Sequence, residues 1–292
     1  MTGGRGLRGY LSARADPALM LDPTIRNKFQ SATLKTISLV SISVMSAEQS
    51  TQELFRTADC VCFDVDSTVI VEEGIDELAK FCGMGEEVKK LTAEAMGGNM
   101  TFQEALKKRL DIIRPSVGQI KRFIQEHPSH LTPNIKKPWV TSKPTLYCSR
   151  ELVRILHERG VHVYLVSGGF RSLIEPVAAE LNIPASNIFA NRLKFYFNGE
   201  YAGFDDTEPT SRSGGKGLVV RRLRERHGYD KVVVIGDGAT DAEACPPADG
   251  FIGFGGNVMR EEVRRKAAWY VTDFQELINV LNLQKVASQT VE

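Results

Sequence analysis

Apolar positions along the chain follow two different periods. Short, continuous apolar runs such as Cys60-Val61-Cys62-Phe63 predict strands at 60–65, 161–166, 188–190 and 231–235, with two more near Phe251 and at 269–271. Between them, apolar residues recur at helical spacing and predict helices over 51–57, 150–159, 171–181, 216–227 and 273–283. Strands alternating with helices imply an α/β fold, a Rossmann-like parallel sheet with helices on both faces.

One block breaks the alternation. Four helical segments at 74–81, 86–96, 101–113 and 117–126 follow the first strand without a strand between them. They predict a small helical cap, residues 72–126, inserted into a core made of 45–71 and 127–292. A Pro-rich stretch over 127–144 then interrupts regular structure. The alternating runs at 193–197 and 200–204 flank Asn198-Gly199, a pair suited to a type I′ turn, so a hairpin is expected with its aromatics packed in the core.

Residues 1–44 differ from the rest. They hold Arg5, Arg8, Arg14, Arg26, Lys28 and Lys35 against Asp16 and Asp22, a balance that fits either a disordered extension or a targeting segment. No apolar stretch reaches the roughly 18 residues of a membrane span. The formal net charge of +1 gives no hint of a nucleic-acid or membrane partner, so an anionic substrate has to be captured by a local site. Five cysteines without a CxxC pair argue for a reducing compartment and against zinc. The expected location is the cytoplasm, with an organelle as the alternative if residues 1–44 act as an address. A homodimer is allowed by the sequence and not demanded by it.

The chemistry concentrates where strands end. Asp64-Val65-Asp66-Ser67-Thr68 closes the first strand, and its two carboxylates, two residues apart, point to the same side of an extended segment. Such a pair needs a cation, a proton or a phosphoryl-type ligand to offset its repulsion. Ser167-Gly168-Gly169 closes the run at 161–166, Lys216 follows Gly214-Gly215 at a helix start, and Gly236-Asp237-Gly238-Ala239-Thr240-Asp241 closes 231–235. Alone, Asp-X-Asp is often just a polar strand end and Ser-Gly-Gly a turn. In a parallel sheet, all four converge on one rim, where three carboxylates, a hydroxyl, backbone N–H groups and a lysine suit a phosphate with Mg²⁺.

These four motifs, in this order, resemble those of the haloacid dehalogenase superfamily. Within it, the stretches at 72–80, 95–98 and 191–204 are similar to eukaryotic phosphoserine phosphatases, and the resemblance runs from about 45 to 283. It implies hydrolysis of O-phospho-L-serine, with Asp64 as nucleophile and Asp66 as proton donor and acceptor. Mg²⁺ would be held by Asp64, the backbone carbonyl of Asp66 and Asp237, with Asp241 orienting that shell. Ser167, Gly168, Gly169, Lys216 and Thr240 would hold the phosphate. Met96 and Gly97 would line the pocket, Glu73 would take the α-amino group, and Glu72 would face solvent.

Phe102, Leu106, Arg109 and Ile113 share one helix face, where an arginine costs desolvation unless it meets an anion. From the residues alone, Arg109 is equally the end of the Lys107-Lys108-Arg109 charge run on a solvated face. The resemblance assigns it to the substrate α-carboxylate.

The pattern departs from the family at about 136–149, an insertion between Thr132-Pro133 and the helix they would open, so Ser149 is expected to cap that helix instead. Its deletion is expected to leave activity the same or higher. Two alternatives stand beside the leading expectation. One is a phosphatase or phosphotransferase of the same scaffold acting on another small phosphomonoester, and the other is a variant impaired by the insertion.

Overall fold

The structure, a computed structural model, describes residues 45–96, 100–133 and 148–289. Six strands form one sheet: β1 (Cys60–Phe63), β2 (His162–Phe170), β3 (Ile188–Asn191), β6 (Val232–Gly236), β7 (Gly250–Phe254) and β8 (Trp269–Val271). Their spatial order is β3-β2-β1-β6-β7-β8, and every neighbouring pair is parallel.

The continuous apolar run of β1 has a direct cause, because both of its faces are covered. Val61 and Phe63 belong to a cluster with Phe55 of α1 (Ala47–Arg56), Leu152 of α6 (Cys148–Glu158), Ile174 of α7 (Arg171–Glu180) and Leu277 of α11 (Phe274–Gln289). Cys60 and Cys62 point the other way, to Val219 and Leu223 of α8 (Gly215–His227) and Val263 of α10 (Glu261–Lys266). Phe63 is 1% exposed. Full burial of such a side chain contributes roughly 1.5–3 kcal/mol, and this two-sided burial holds the end of β1 in place.

The register aligns the strand ends. Phe63 lies opposite Leu165 on one side and Ile235 on the other, so Asp64 leaves the sheet at the same edge as Ser167 and Asp237. β2 runs further than the expected 161–166. It carries Ser167-Gly168-Gly169 inside the strand, with a register irregularity between Val166 and Phe170.

Between β1 and α6 come α2 (Gly74–Phe81), α3 (Gly85–Met96), α4 (Phe102–Ile113) and α5 (Val117–Glu126). Thr101 with Glu104 and Ser116 with Gln119 form capping boxes that start α4 and α5. Ile75, Leu78, Val88, Leu106, Leu110, Ile120 and Phe123 pack into a cluster of their own, joined by Phe170 and Tyr201.

Two local expectations change. The hairpin strands are β4 (Leu193–Phe195) and β5 (Tyr201–Phe204), and the loop between them is longer than the two residues of a type I′ turn. Gly199 N–H donates to the Tyr196 carbonyl, and Gly199 takes φ +86° while Asn198 stays out of the left-handed region. Glycine therefore ends a turn at the αL position and relaxes the register instead of forming its centre. Phe197 is fully exposed and Tyr196 largely so, which places them outside the core; Tyr201 is the aromatic of this ribbon that is buried. Ser149 does not cap α6. It lies in the first turn, buried, with its hydroxyl reaching back 3.5 Å to the Thr132 carbonyl. Most of the 136–149 insertion, 136–147, lies outside the described residues.

Candidate active site

After Phe63 the chain makes a tight turn over Val65–Val69, closed by Ile70 N–H to the Val65 carbonyl (3.0 Å). Ser67 sits in this turn at φ +52°, a left-handed position that costs a residue with a side chain roughly 1–2 kcal/mol. Several contacts hold it there. Its N–H donates to the Glu72 carbonyl, its hydroxyl donates to Glu73 Oε1 at 2.9 Å, and its carbonyl accepts from Asn257 Nδ2 at 3.1 Å. Asn257 also donates to the Ile70 carbonyl and to Thr132 Oγ1, while Thr132 donates to the Thr68 carbonyl at 2.6 Å. This knot fixes both ends of the segment that carries the acidic pair.

The two aspartates have different surroundings. Asp64 Oδ1 accepts from Val65 N–H at 2.7 Å, and its Oδ2 is 2.7 Å from Lys216 Nζ. Asp66 Oδ1 accepts from Gly74 N–H at 2.8 Å, and Oδ2 lies 3.4 Å from the Ser167 hydroxyl. Burial, with Glu73 and Asp64 nearby, pushes the Asp66 carboxyl up to about 7. A carboxyl group in that range can give or take a proton at neutral pH.

Lys216 is buried and pairs with Asp241 at 2.8 Å as well as with Asp64. Burial works against its charge, but Asp241 and Asp64 outweigh it and hold the ammonium above the ordinary lysine value. Asp241 is fully buried and also accepts from Gly238 N–H at 3.1 Å. Asp237 Oδ1 accepts from Thr68 Oγ1 at 2.9 Å, and its Oδ2 pairs with Arg260 Nη1. Among the described residues, Asp64, Asp237 and Asp241 offer oxygens within 4.8 Å of one another. Hard carboxylate oxygens of this kind suit Mg²⁺ or a similar cation.

A cavity of about 180 Å³ opens on this cluster. Asp64, Asp66, Gly168, Gly169, Lys216, Asp237 and Thr240 line it together with Glu73, Phe102, Leu106 and Arg109. Arg109 thus stands on the cavity side of α4, with its Nε donating to the Ala105 carbonyl at 3.3 Å. Gly169 has to be glycine for room, since a Cβ there would lie 2.6 Å from Asp66 Oδ2. Met96 ends α3, but its side chain and Gly97 lie outside the described residues.

A family model described as a haloacid dehalogenase-like hydrolase matches residues 58–249. The chain belongs to that family. It is 58% identical over 237 residues to the phosphoserine phosphatase of Homo sapiens, covering 81% of this chain and 99% of that protein. It is 44% identical over 277 residues to the chloroplastic phosphoserine phosphatase of Arabidopsis thaliana, covering 94% and 88%. A solved phospho-aspartyl intermediate analogue of phosphoserine phosphatase matches with a TM-score of 0.62 at 27% identity, over 76% of this chain and 98% of that one.

The phosphatases of the haloacid dehalogenase-like family are metal-dependent, and this member has a cluster of acidic residues that could hold a metal ion. Arg260 is one residue at this site that sequence reasoning missed. It leaves the loop after β7 and spans two groups, pairing with Glu73 through Nη2 (2.9 Å) and with Asp237 through Nη1. Asn257 was missed as well. Neither sits at a strand end or in a periodic segment, and the one signal was the Gly255-Gly256 turn just before them. Glu72 does not simply face solvent, because its carboxylate accepts from the backbone N–H of His130 and pairs with that ring.

Proposed function

We propose that the chain hydrolyses O-phospho-L-serine to L-serine and phosphate through an aspartyl-phosphate on Asp64. One observation carries this reading. A single small cavity is lined by Lys216, Gly168, Gly169 and the acidic pair together with Glu73 and Arg109, groups that suit a phosphate and the two charged groups of an amino acid. The relatives at 58% identity, which carry the name phosphoserine phosphatase, support the same substrate.

In this reading an Asp64 oxygen attacks phosphorus, the bond from phosphorus to the seryl oxygen breaks, and Asp66 gives its proton to that oxygen. A water oxygen then bonds to the phosphorus of the aspartyl-phosphate, Asp66 takes the water proton, and the bond from Asp64 to phosphorus breaks. Lys216, the Ser167 hydroxyl and the Gly168 N–H hold the phosphoryl oxygens, with Gly169 and Thr240 beside them. Asp64, Asp237 and the Asp66 carbonyl would hold Mg²⁺, with Asp241 orienting them. When bound, the ion neutralises phosphoryl charge.

Glu73 receives the α-ammonium and Arg109 the α-carboxylate, bidentately, while Met96 and Gly97 line the pocket. The cytoplasm is the proposed compartment, with an organelle as the alternative, and a homodimer is the proposed assembly if one forms. Among the described residues, no helix is long and apolar enough to cross a membrane.

The test is phosphate release from O-phospho-L-serine and from p-nitrophenyl phosphate by wild type and Arg109→Ala. The reading predicts that Arg109→Ala raises KM for phosphoserine far more than for p-nitrophenyl phosphate. Equal effects on both would overturn the carboxylate role and favour another small phosphomonoester.

A further inference from the structure

Asn191, the last residue of β3, is a fully buried amide beside Ser167-Gly168-Gly169. The register explains why an amide is needed there. Val166 lies opposite Phe189 and Phe170 opposite Asn191, so β2 sets Ser167, Gly168 and Gly169 against Ala190 alone. A bulge takes backbone groups out of the ladder and re-aims the residues beside a site. The Gly168 carbonyl is met instead by Asn191 Nδ2, at 2.8 Å.

The same peptide group is held at its other end. Gly169 N–H, which shares a plane with the Gly168 carbonyl, donates to Ser167 Oγ at 2.9 Å. A hydroxyl has one proton to give and two lone pairs to accept with. With one lone pair taken by Gly169, the Ser167 hydroxyl donates towards Asp66 Oδ2, 3.4 Å away.

Asn191 is itself held in place. Thr210 Oγ1 donates to Asn191 Oδ1 at 3.0 Å, and the Thr210 carbonyl lies 3.5 Å from Asn191 Nδ2. Thr210 belongs to the turn Pro209–Ser211, which presses so closely on α8 that a Cβ on Gly215 would collide with the Pro209 carbonyl. Lys216 is the next residue. One amide therefore ties the Ser167 segment to the turn beside Lys216.

We infer that Asn191 is a positioning residue for Ser167: it holds the Gly168–Gly169 peptide plane, and through it the hydroxyl that meets the phosphoryl group. This rests on the reading of Ser167 given above. An amide that only steadied the fold would have no line to the reacting groups. Here the hydrogen bonds run in sequence from Asn191 to Gly168, from Gly169 to Ser167 and from Ser167 to Asp66.

The experiment measures kcat and KM, per folded protein, for O-phospho-L-serine and p-nitrophenyl phosphate in Asn191→Ala, Ser167→Ala and the double variant. Removing a donor to developing negative charge costs roughly 10²–10³-fold in kcat, so misplacing it in Asn191→Ala is expected to cost about tenfold. The loss should be equal for both substrates, with KM little changed. In the Ser167→Ala background, where the hydroxyl is gone, Asn191→Ala should cost little more. Thr210→Val keeps the side-chain shape, removes the donor to Asn191 and should give a smaller fall of the same kind. If Asn191→Ala does not fold, Thr210→Val carries the test, and an unchanged kcat there overturns the proposal.

An unchanged kcat in folded Asn191→Ala, or losses that multiply in the double variant, would also overturn it. Ser167→Ala alone separates the two layers. If it leaves kcat unchanged, the Ser167 reading falls and the proposal with it. If it lowers kcat and Asn191→Ala does not, the Asn191 assignment falls alone.

Discussion

Lys216 Nζ lies 2.7 Å from Asp64 Oδ2 and 2.8 Å from Asp241 Oδ1, one buried ammonium shared by two buried carboxylates from different strand ends. The pairing ties the start of α8 to the ends of β1 and β6 and fixes the proposed nucleophile. Removing the cation leaves two acids without their counter-charge, and breaking a buried pair in this way costs roughly 3–5 kcal/mol. Lys216→Met should therefore lower stability by about that amount in urea denaturation without added metal, and phosphate release should be lost with it.

Gly169→Ala tests the room left for the proton donor. The added Cβ would lie 2.6 Å from Asp66 Oδ2 and 3.2 Å from the Ser167 hydroxyl, so Asp66 has to move. Positioned proton transfer is worth roughly 10²–10⁴-fold in rate. A fall in kcat within that range is expected, with the melting temperature little changed.

Both oxygens of Asp237 are engaged, one by Thr68 Oγ1 at 2.9 Å and the other by Arg260. A cation bound at Asp237 has to displace or share the guanidinium. Arg260→Ala is expected to tighten Mg²⁺ binding, measured by calorimetry, by about tenfold, the equivalent of one charged hydrogen bond. Weaker binding would show that Arg260 supports the cation site instead of competing with it.

Chelation provides a further check. With the metal removed, phosphate release should stop and return on adding Mg²⁺. A ligand that binds only the folded state stabilises it by about 2.7 kcal/mol at a hundredfold excess over Kd. Mg²⁺ should therefore raise the unfolding midpoint of the wild type, and raise that of Asp237→Asn far less.

The sheet was legible in the sequence because each strand is buried on both faces and so reads as an unbroken apolar run. Its strand-end residues Asp64, Asp66 and Asp237 were legible because a parallel sheet sends them to one rim, where they now line one cavity with Lys216 from the start of α8. The hairpin loop was not, since Asn198-Gly199 fits two turn geometries and the structure uses the one with Gly199 at its end. Arg260 and Asn257 act across long sequence separations from an irregular loop, which no local period announces.

The central claim is that Asp64 is the nucleophile of a phosphoserine-hydrolysing site. It is tested most directly by phosphate release from O-phospho-L-serine, with Mg²⁺, by wild type and Asp64→Asn. Asparagine keeps the shape of the side chain and removes the attacking carboxylate, so turnover in the variant is expected to fall to background. Turnover equal to that of the wild type would contradict the assignment.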